Sequence, residues 1–245
     1  MSELILGFDA DDTLWHNETV FHLTQDRFIE LLGEFAERDH LAERLLATEL
    51  RNLRHYGYGV KSFTLSMVET ALELTGETIP SHVVAEILAI GRAMLDHPVE
   101  PLPGVRETLE RLSADHILVL ITKGDLMDQE NKLARSGLGD FFDAVEIVSE
   151  KTSATYSRAF ARHGAVAGEA AMVGNSARSD IIPAIEAGFW GVHVPYATTW
   201  AHERADAPAD SALYVELASI ADLPAWIAGV ESGPRKSAKR FSAGN

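Results

Sequence analysis

The sequence predicts an α/β fold: a doubly wound parallel sheet with a helical domain inserted into it. Three observations predict this. Short apolar runs recur along the chain, amphipathic stretches of helix length separate most of them, and residues 16–98 carry helical periodicity without a convincing strand. Continuous apolar runs are what a sheet covered on both faces demands, where a half-exposed sheet would alternate. Strands that alternate with helices imply right-handed crossovers.

The first run, Leu4–Phe8, opens the sheet. In the strand-free segment, Phe28, Leu31, Leu32 and Phe35 share one helical face, and Leu65, Val68 and Leu72 mark a second helix. Val83, Ile87, Ile90 and Met94 mark a third, with GETIP at 76–80 supplying the stop and restart. So long a stretch is no loop, which makes it an inserted helical domain. Pro98, Pro101, Pro103 and Gly104 return the chain to the sheet. Strands are then expected at Ile117–Ile121, Val145–Val148, Ala171–Val173 and Val192–Val194, with Leu213–Val215 the candidate for a sixth. Helices are expected at Val105–Ser113, Met127–Ser136, Ser153–Arg162 and Ile181–Ala187. The expected division is a Rossmann-like core over 1–15 and 99–230, a helical domain over 16–98, and a disordered basic tail over 231–245.

Length and composition agree with this. A chain of 245 residues with 46% hydrophobic and 24% charged residues suits one large domain or a core with an insertion. There is no Cys, which excludes disulfide scaffolds, thiolate metal sites and cysteine nucleophiles. No run of eighteen apolar residues exists, and MSELILGFDADD turns acidic too early for a secretory signal, so the expected location is the cytoplasm. The 21 basic residues face 37 acidic ones, for a net charge of −16. Arg235, Lys236, Lys239 and Arg240 lie in the tail, which leaves the body more acidic still. Such a body repels nucleic acids and anionic membranes, so neither is expected as a partner.

The chemistry gathers at the strand ends, where open parallel sheets bind their ligands. Strand one runs into Asp9-Ala10-Asp11-Asp12-Thr13, and strand two into Thr122-Lys123-Gly124. Strand three leads to Lys151, and strand four to Gly174-Asn175-Ser176 with Asp180 close behind. Carboxylates beside a hydroxyl and an ammonium suit a phosphate monoester and a hard divalent cation. The cation relieves the repulsion between the carboxylates and the phosphate, and Mg2+ needs few protein ligands because it accepts phosphate oxygens.

These residues form four ordered motifs: LILGFDADDTL at 4–14, the Thr122 ending of ILVLIT, Lys151, and MVGNSARSDI at 172–181. The chain thereby resembles the haloacid dehalogenase superfamily, in its aspartate-nucleophile phosphatase branch, and the helical insert is similar to that superfamily's alpha-helical cap. The resemblance implies that Asp9 is the nucleophile and Asp11 the general acid and base, with its backbone carbonyl on the metal. It also implies that Thr122 and Lys151 hold phosphate and that Asp180 belongs to the Mg2+ site. Two positions depart from the phosphatase pattern: Asn175 stands where Asp is usual, and Lys123 stands where Asn is usual, which is expected to add a substrate-binding cation beside the phosphate site. The metal site is thus expected to draw on Asp9, Asp11, Asn175 and Asp180.

The expected activity is Mg2+-dependent hydrolysis of a small phosphorylated metabolite through an aspartyl-phosphate. The same fold also serves 2-haloacid dehalogenases and phosphomutases, and a non-catalytic phospholigand-binding member would share it. One further expectation concerns specificity. Gly57 and Gly59 interrupt the helical pattern among Arg51, Arg54 and Lys61, so Lys61, with Tyr58, is expected to meet the leaving group. Trp15, His16 and Asn17, just after the nucleophile, are expected near it as well.

Overall fold

The computed structural model describes residues 4–232. Of the tail expected over 231–245, Glu231 and Ser232 belong to the last helix, and 233–245, with the disorder expected of them, lie outside the described residues. Six strands, β1 (Ile5–Phe8), β2 (Ile117–Lys123), β3 (Ala144–Val148), β4 (Ala170–Gly174), β5 (Trp190–His193) and β6 (Tyr214–Glu216), pair in parallel in the order β3-β2-β1-β4-β5-β6. Helices α5 (Val105–Leu112), α6 (Leu126–Ser136), α7 (Ser153–Arg162), α8 (Ile182–Glu186) and α9 (Leu223–Ser232) cover the two faces.

Side-chain alternation explains why both faces need cover. Leu4, Leu6 and Phe8 pack with Val105 and Leu109 of α5 and Leu223 of α9, whereas Ile5 packs with Tyr156 and Phe160 of α7. Gly7 points to that second face. A Cβ there would lie 2.8 Å from the Phe160 ring, so the missing side chain is what lets α7 approach the strand. The chain builds outward from β1 to β3, then crosses back to β4 on the other side of β1. The ends of β1 and β4 therefore flank the point where strand order reverses, which is where such sheets bind ligands.

The insert is a layer of four helices over that edge: α1 (Glu18–Leu31), α2 (Arg38–Tyr56), α3 (Val60–Leu74) and α4 (Ser81–Leu95). They bury a cluster of their own, including Phe28, Leu45, Met67 and Ile87. Val83, Ile87, Ile90 and Met94 are buried as the periodicity predicts. Two faces differ from expectation. Phe35 lies beyond α1 and is 43% exposed, and Leu65 is also 43% exposed because α3 buries Val60, Phe63, Met67 and Ala71 instead. That buried face also carries Ser62, Ser66 and Thr70. Ser66 is satisfied by Asn52 of α2 and by the Ser62 carbonyl, a pairing that hydrophobicity cannot register. Helix α2 is charge-rich, and its buried stripe of Leu41, Leu45, Thr48 and Asn52 is half polar.

Candidate active site

The loop after β1 is held by its own backbone. Thr13 and Leu14 N–H groups donate to the Ala10 carbonyl at 3.2 and 2.8 Å, and Asp12 takes φ 60°. That left-handed conformation is one that Asp tolerates better than most residues. The Asp12 carboxylate accepts from the Asn17 and Glu18 N–H groups at 2.9–3.1 Å, so it caps the start of α1.

Asp9 is 7% exposed, and its Oδ1 accepts from Lys151 Nζ. Lys151 Nζ also donates to Asp180 Oδ1 at 2.7 Å. One ammonium thus bridges two carboxylates in a buried trio of net charge −1. Burial pushes the Asp9 carboxyl up, the Asp180 charge pushes it further, and Lys151 opposes both. Burial disfavours the Lys151 ammonium, but Asp180 and Asp9 outweigh it and keep the group charged.

Asp180 has no exposed surface, its Oδ2 accepts from the Ser176 N–H at 3.0 Å, and it lies off the cavity wall. In this arrangement it holds Lys151 from behind. A π-helical turn at Ala177–Ile181, capped by Ser176 Oγ accepting from the Ser179 N–H, aims Asp180 inward. Gly174 leaves the room for it, since a Cβ at 174 would lie 2.2 Å from Asp180 Oδ2.

Asp11 is enclosed by donors. Trp15 Nε1 lies 2.7 Å from Oδ1, Gln129 Nε2 2.9 Å from Oδ2, and Lys132 Nζ 2.8 and 3.0 Å from the two oxygens. Burial pushes its carboxyl up, but Lys132 and the other donors outweigh that and hold it below the usual range. Lys132 and Gln129, one turn apart on α6, escaped the sequence reading because only folding brings that face to Asp11; the one signal was their i, i+3 spacing. Trp15, expected at the leaving group, is instead buried as an Asp11 donor. His16 lies outside the cavity against Tyr196, while Asn17 does line it.

Thr122, 1% exposed, and Asn175 line the cavity beside Asp9. Asn175 Oδ1 accepts from Thr13 Oγ1 at 3.2 Å, and the Asn175 N–H donates back to that hydroxyl at 3.0 Å. Lys123 is on the wall but committed elsewhere. Its Nζ is 2.6 Å from Glu203 Oε1, 2.9 Å from Ser179 Oγ and 4.2 Å from the Tyr58 ring centroid. Glu203 resists the upward push of burial through Lys123 and the Ser179 and Ser176 hydroxyls, which bring it down to about 2. The sequence reading did not single out Glu203, because its partners lie on other elements.

Lys61 does not join the site. Its ammonium pairs with Asp125 at the start of α6, 2.8 Å away and 52% exposed, off the cavity wall. Arg51 is spent on Glu73 and Glu69. Tyr58 does line the cavity, with its hydroxyl donating to Glu150 at 2.8 Å. The cavity has a volume of about 450 Å³ and lies between the strand ends and the insert.

The donor set fits a hard cation held by few protein groups. Asp9 and the Asn175 amide oxygen open on one end of the cavity, and Mg2+ of this kind keeps waters and takes substrate oxygens. Among the described residues no trio of His, Asp and Glu stands ready to ligate a metal alone.

A family model described as a haloacid dehalogenase-like hydrolase matches residues 5–188. A haloacid dehalogenase-like family hydrolase from Xanthomonas campestris is 40% identical, with 94% of this chain and 92% of that one covered at a TM-score of 0.83. The HAD-hydrolase YfnB from Bacillus subtilis, bound to magnesium, is 15% identical over 93% and 99% of the chains, with a TM-score of 0.64. The L-2-haloacid dehalogenase from Xanthobacter autotrophicus, with chloropropionic acid covalently bound, is 18% identical over 93% and 99%, with a TM-score of 0.62. The last two are likenesses of fold. No curated protein matches the chain.

Proposed function

Because this chain belongs to the haloacid dehalogenase-like hydrolases, we propose that it is a Mg2+-dependent phosphatase that acts on a small phosphomonoester through an aspartyl-phosphate on Asp9. The observation that carries this reading is the Asp11 carboxylate, held ionised by Trp15, Gln129 and Lys132 beside the nucleophile. A phosphoryl transfer followed by hydrolysis uses a carboxyl placed here to exchange a proton first with the leaving oxygen and then with water, whereas displacement of halide needs no proton delivered to the leaving group.

Asp9, Asn175 and the Asp11 backbone carbonyl would hold Mg2+. The cation supplies charge for the phosphoryl oxygens and screens Asp9 from them. Within the chain, Lys151 orients Asp9 and offers charge to the phosphoryl group, and the Thr122 hydroxyl donates to a second oxygen. The Asp9 carboxylate attacks phosphorus in line and the ester P–O bond breaks, and the departing oxygen takes the proton that Asp11 picks up from solvent as the anionic substrate binds beside it. Asp11 then removes a proton from water, which attacks the phosphorus of the aspartyl-phosphate and returns Asp9 as carboxylate. Insert residues 16–98 act as the cap that closes this end of the cavity from bulk water.

Phosphate release from p-nitrophenyl phosphate tests the reading. The wild type is expected to turn it over with Mg2+, to stop in EDTA and to recover when Mg2+ is restored. Activity that ignores EDTA, or halide release from 2-chloropropionate in its place, would favour the dehalogenase.

A further inference from the structure

The cavity extends beyond what attack on phosphorus requires. Its far wall comes from the insert: Glu18 and Phe21 of α1, Glu49 and Leu53 of α2, and Ser62 and Phe63 of α3. Glu49 and Leu53 are one turn apart, on the stripe beside the one α2 buries against α3, so helical geometry turns them inward together.

Charge pairing within the cavity is lopsided. Lys151 is taken by Asp9 and Asp180, Lys123 by Glu203, and Lys132 by Asp11. Arg204 stands at the exposed mouth. Among the described residues no ammonium is left inside for a second anionic group on the substrate. Glu18 and Glu49 have no Lys or Arg partner among the described residues, and the ionisable contact of Glu18 is His22 Nε2 at 3.5 Å. Burial and the Glu18 charge push Glu49 up to about 8, as befits a carboxylate in want of a counter-charge.

Two further features of this wall point to a ligand. Ser62 is 5% exposed yet faces the cavity, and its hydroxyl makes no hydrogen bond among the described residues. The Phe21 and Phe63 rings, with centroids 5.1 Å apart and planes at 50°, offer aromatic surface beside the carboxylates. Such surface attracts a cation and repels an anion.

On the phosphatase reading, we propose that the leaving group carries a protonated amine, received between Glu18 and Glu49 beside Phe21 and Phe63, with one N–H donated to the Ser62 hydroxyl. Glu18 and Glu49 are then specificity-determining residues, and the substrate class is the phosphorylated amino alcohols.

The test uses ω-aminoalkyl phosphates of increasing chain length, each beside the n-alkyl phosphate of the same length. At the length that fits, the amine is expected to be preferred about 10- to 100-fold in kcat/KM, the scale of a charge-assisted hydrogen bond. The Glu18→Gln/Glu49→Gln double variant is expected to bring that ratio close to one. Equal rates at every length, or a preference that survives both substitutions, would overturn the proposal. A second measurement reads the subsite without turnover: free ω-amino alcohols are expected to raise the Tm of the wild type, and the plain alcohols are not. Amine binding lost in the double variant, in a protein inert toward p-nitrophenyl phosphate, would sink the phosphatase reading and uphold the subsite. Turnover of p-nitrophenyl phosphate with neither amine preference nor amine binding would do the reverse.

Discussion

Asp9→Asn is expected to lower turnover of p-nitrophenyl phosphate by about 10⁴-fold or more, while raising the stability of the fold. The loss follows from removing the proposed nucleophile, a role that an amide cannot fill. The gain follows from the same geometry. Asp9 is a 7% exposed carboxylate that shares Lys151 with the fully buried Asp180. Its replacement leaves Lys151 and Asp180 as a neutral pair, and the amide oxygen can still accept from Lys151. Removing one desolvated, repelled charge should stabilise by about 1 kcal/mol, or about 2–4 °C in Tm for a chain of this size. A loss of both activity and stability would mean that Asp9 is chiefly structural.

Lys151→Met is expected to have the larger effect on folding. Lys151 is the one ammonium bonded to both Asp9 and Asp180. Removing one partner of a buried ion pair typically costs about 3–5 kcal/mol, because the remaining charge stays unpaired in a poor solvent. Here two carboxylates would be left facing each other. Urea unfolding near neutral pH should show that loss, and adding Asp180→Asn should recover part of it, since the two sites are in contact and not additive. A loss under about 1 kcal/mol would mean that a shared proton replaces the ammonium, so that Lys151 does little to oppose the upward push on the Asp9 carboxyl.

Much of the fold was legible because burial on both faces leaves a mark in sequence. The runs at Leu4–Phe8, Ile117–Ile121 and Ala171–Val173 had to be apolar throughout, and each lies within an observed strand or extends one by a residue. Helix α2 was less legible because the stripe it buries includes Thr48 and Asn52, and polar residues satisfied by a neighbouring helix look like surface. In the site, the residues at strand ends could be read from position alone. Lys132, Gln129 and Glu203 could not, since the charged or carboxylate partner of each, Asp11 or Lys123, comes from an element more than fifty residues away in sequence. Lys61 misled for the complementary reason. A gathering of cations around two glycines in an acidic chain suggests a ligand, but Asp125 was free to meet Lys61 once α3 and α6 came together.

The central claim, that Asp9 carries the phosphoryl group between two chemical steps, is tested most directly by quenching the enzyme with acid during turnover and weighing its peptides. The account predicts one phosphoryl group on the peptide that contains Asp9, formed with the wild type, lost on standing with hydroxylamine, and absent from Asp9→Asn. Steady turnover with that peptide unmodified, or the phosphoryl group found on another residue, would contradict it.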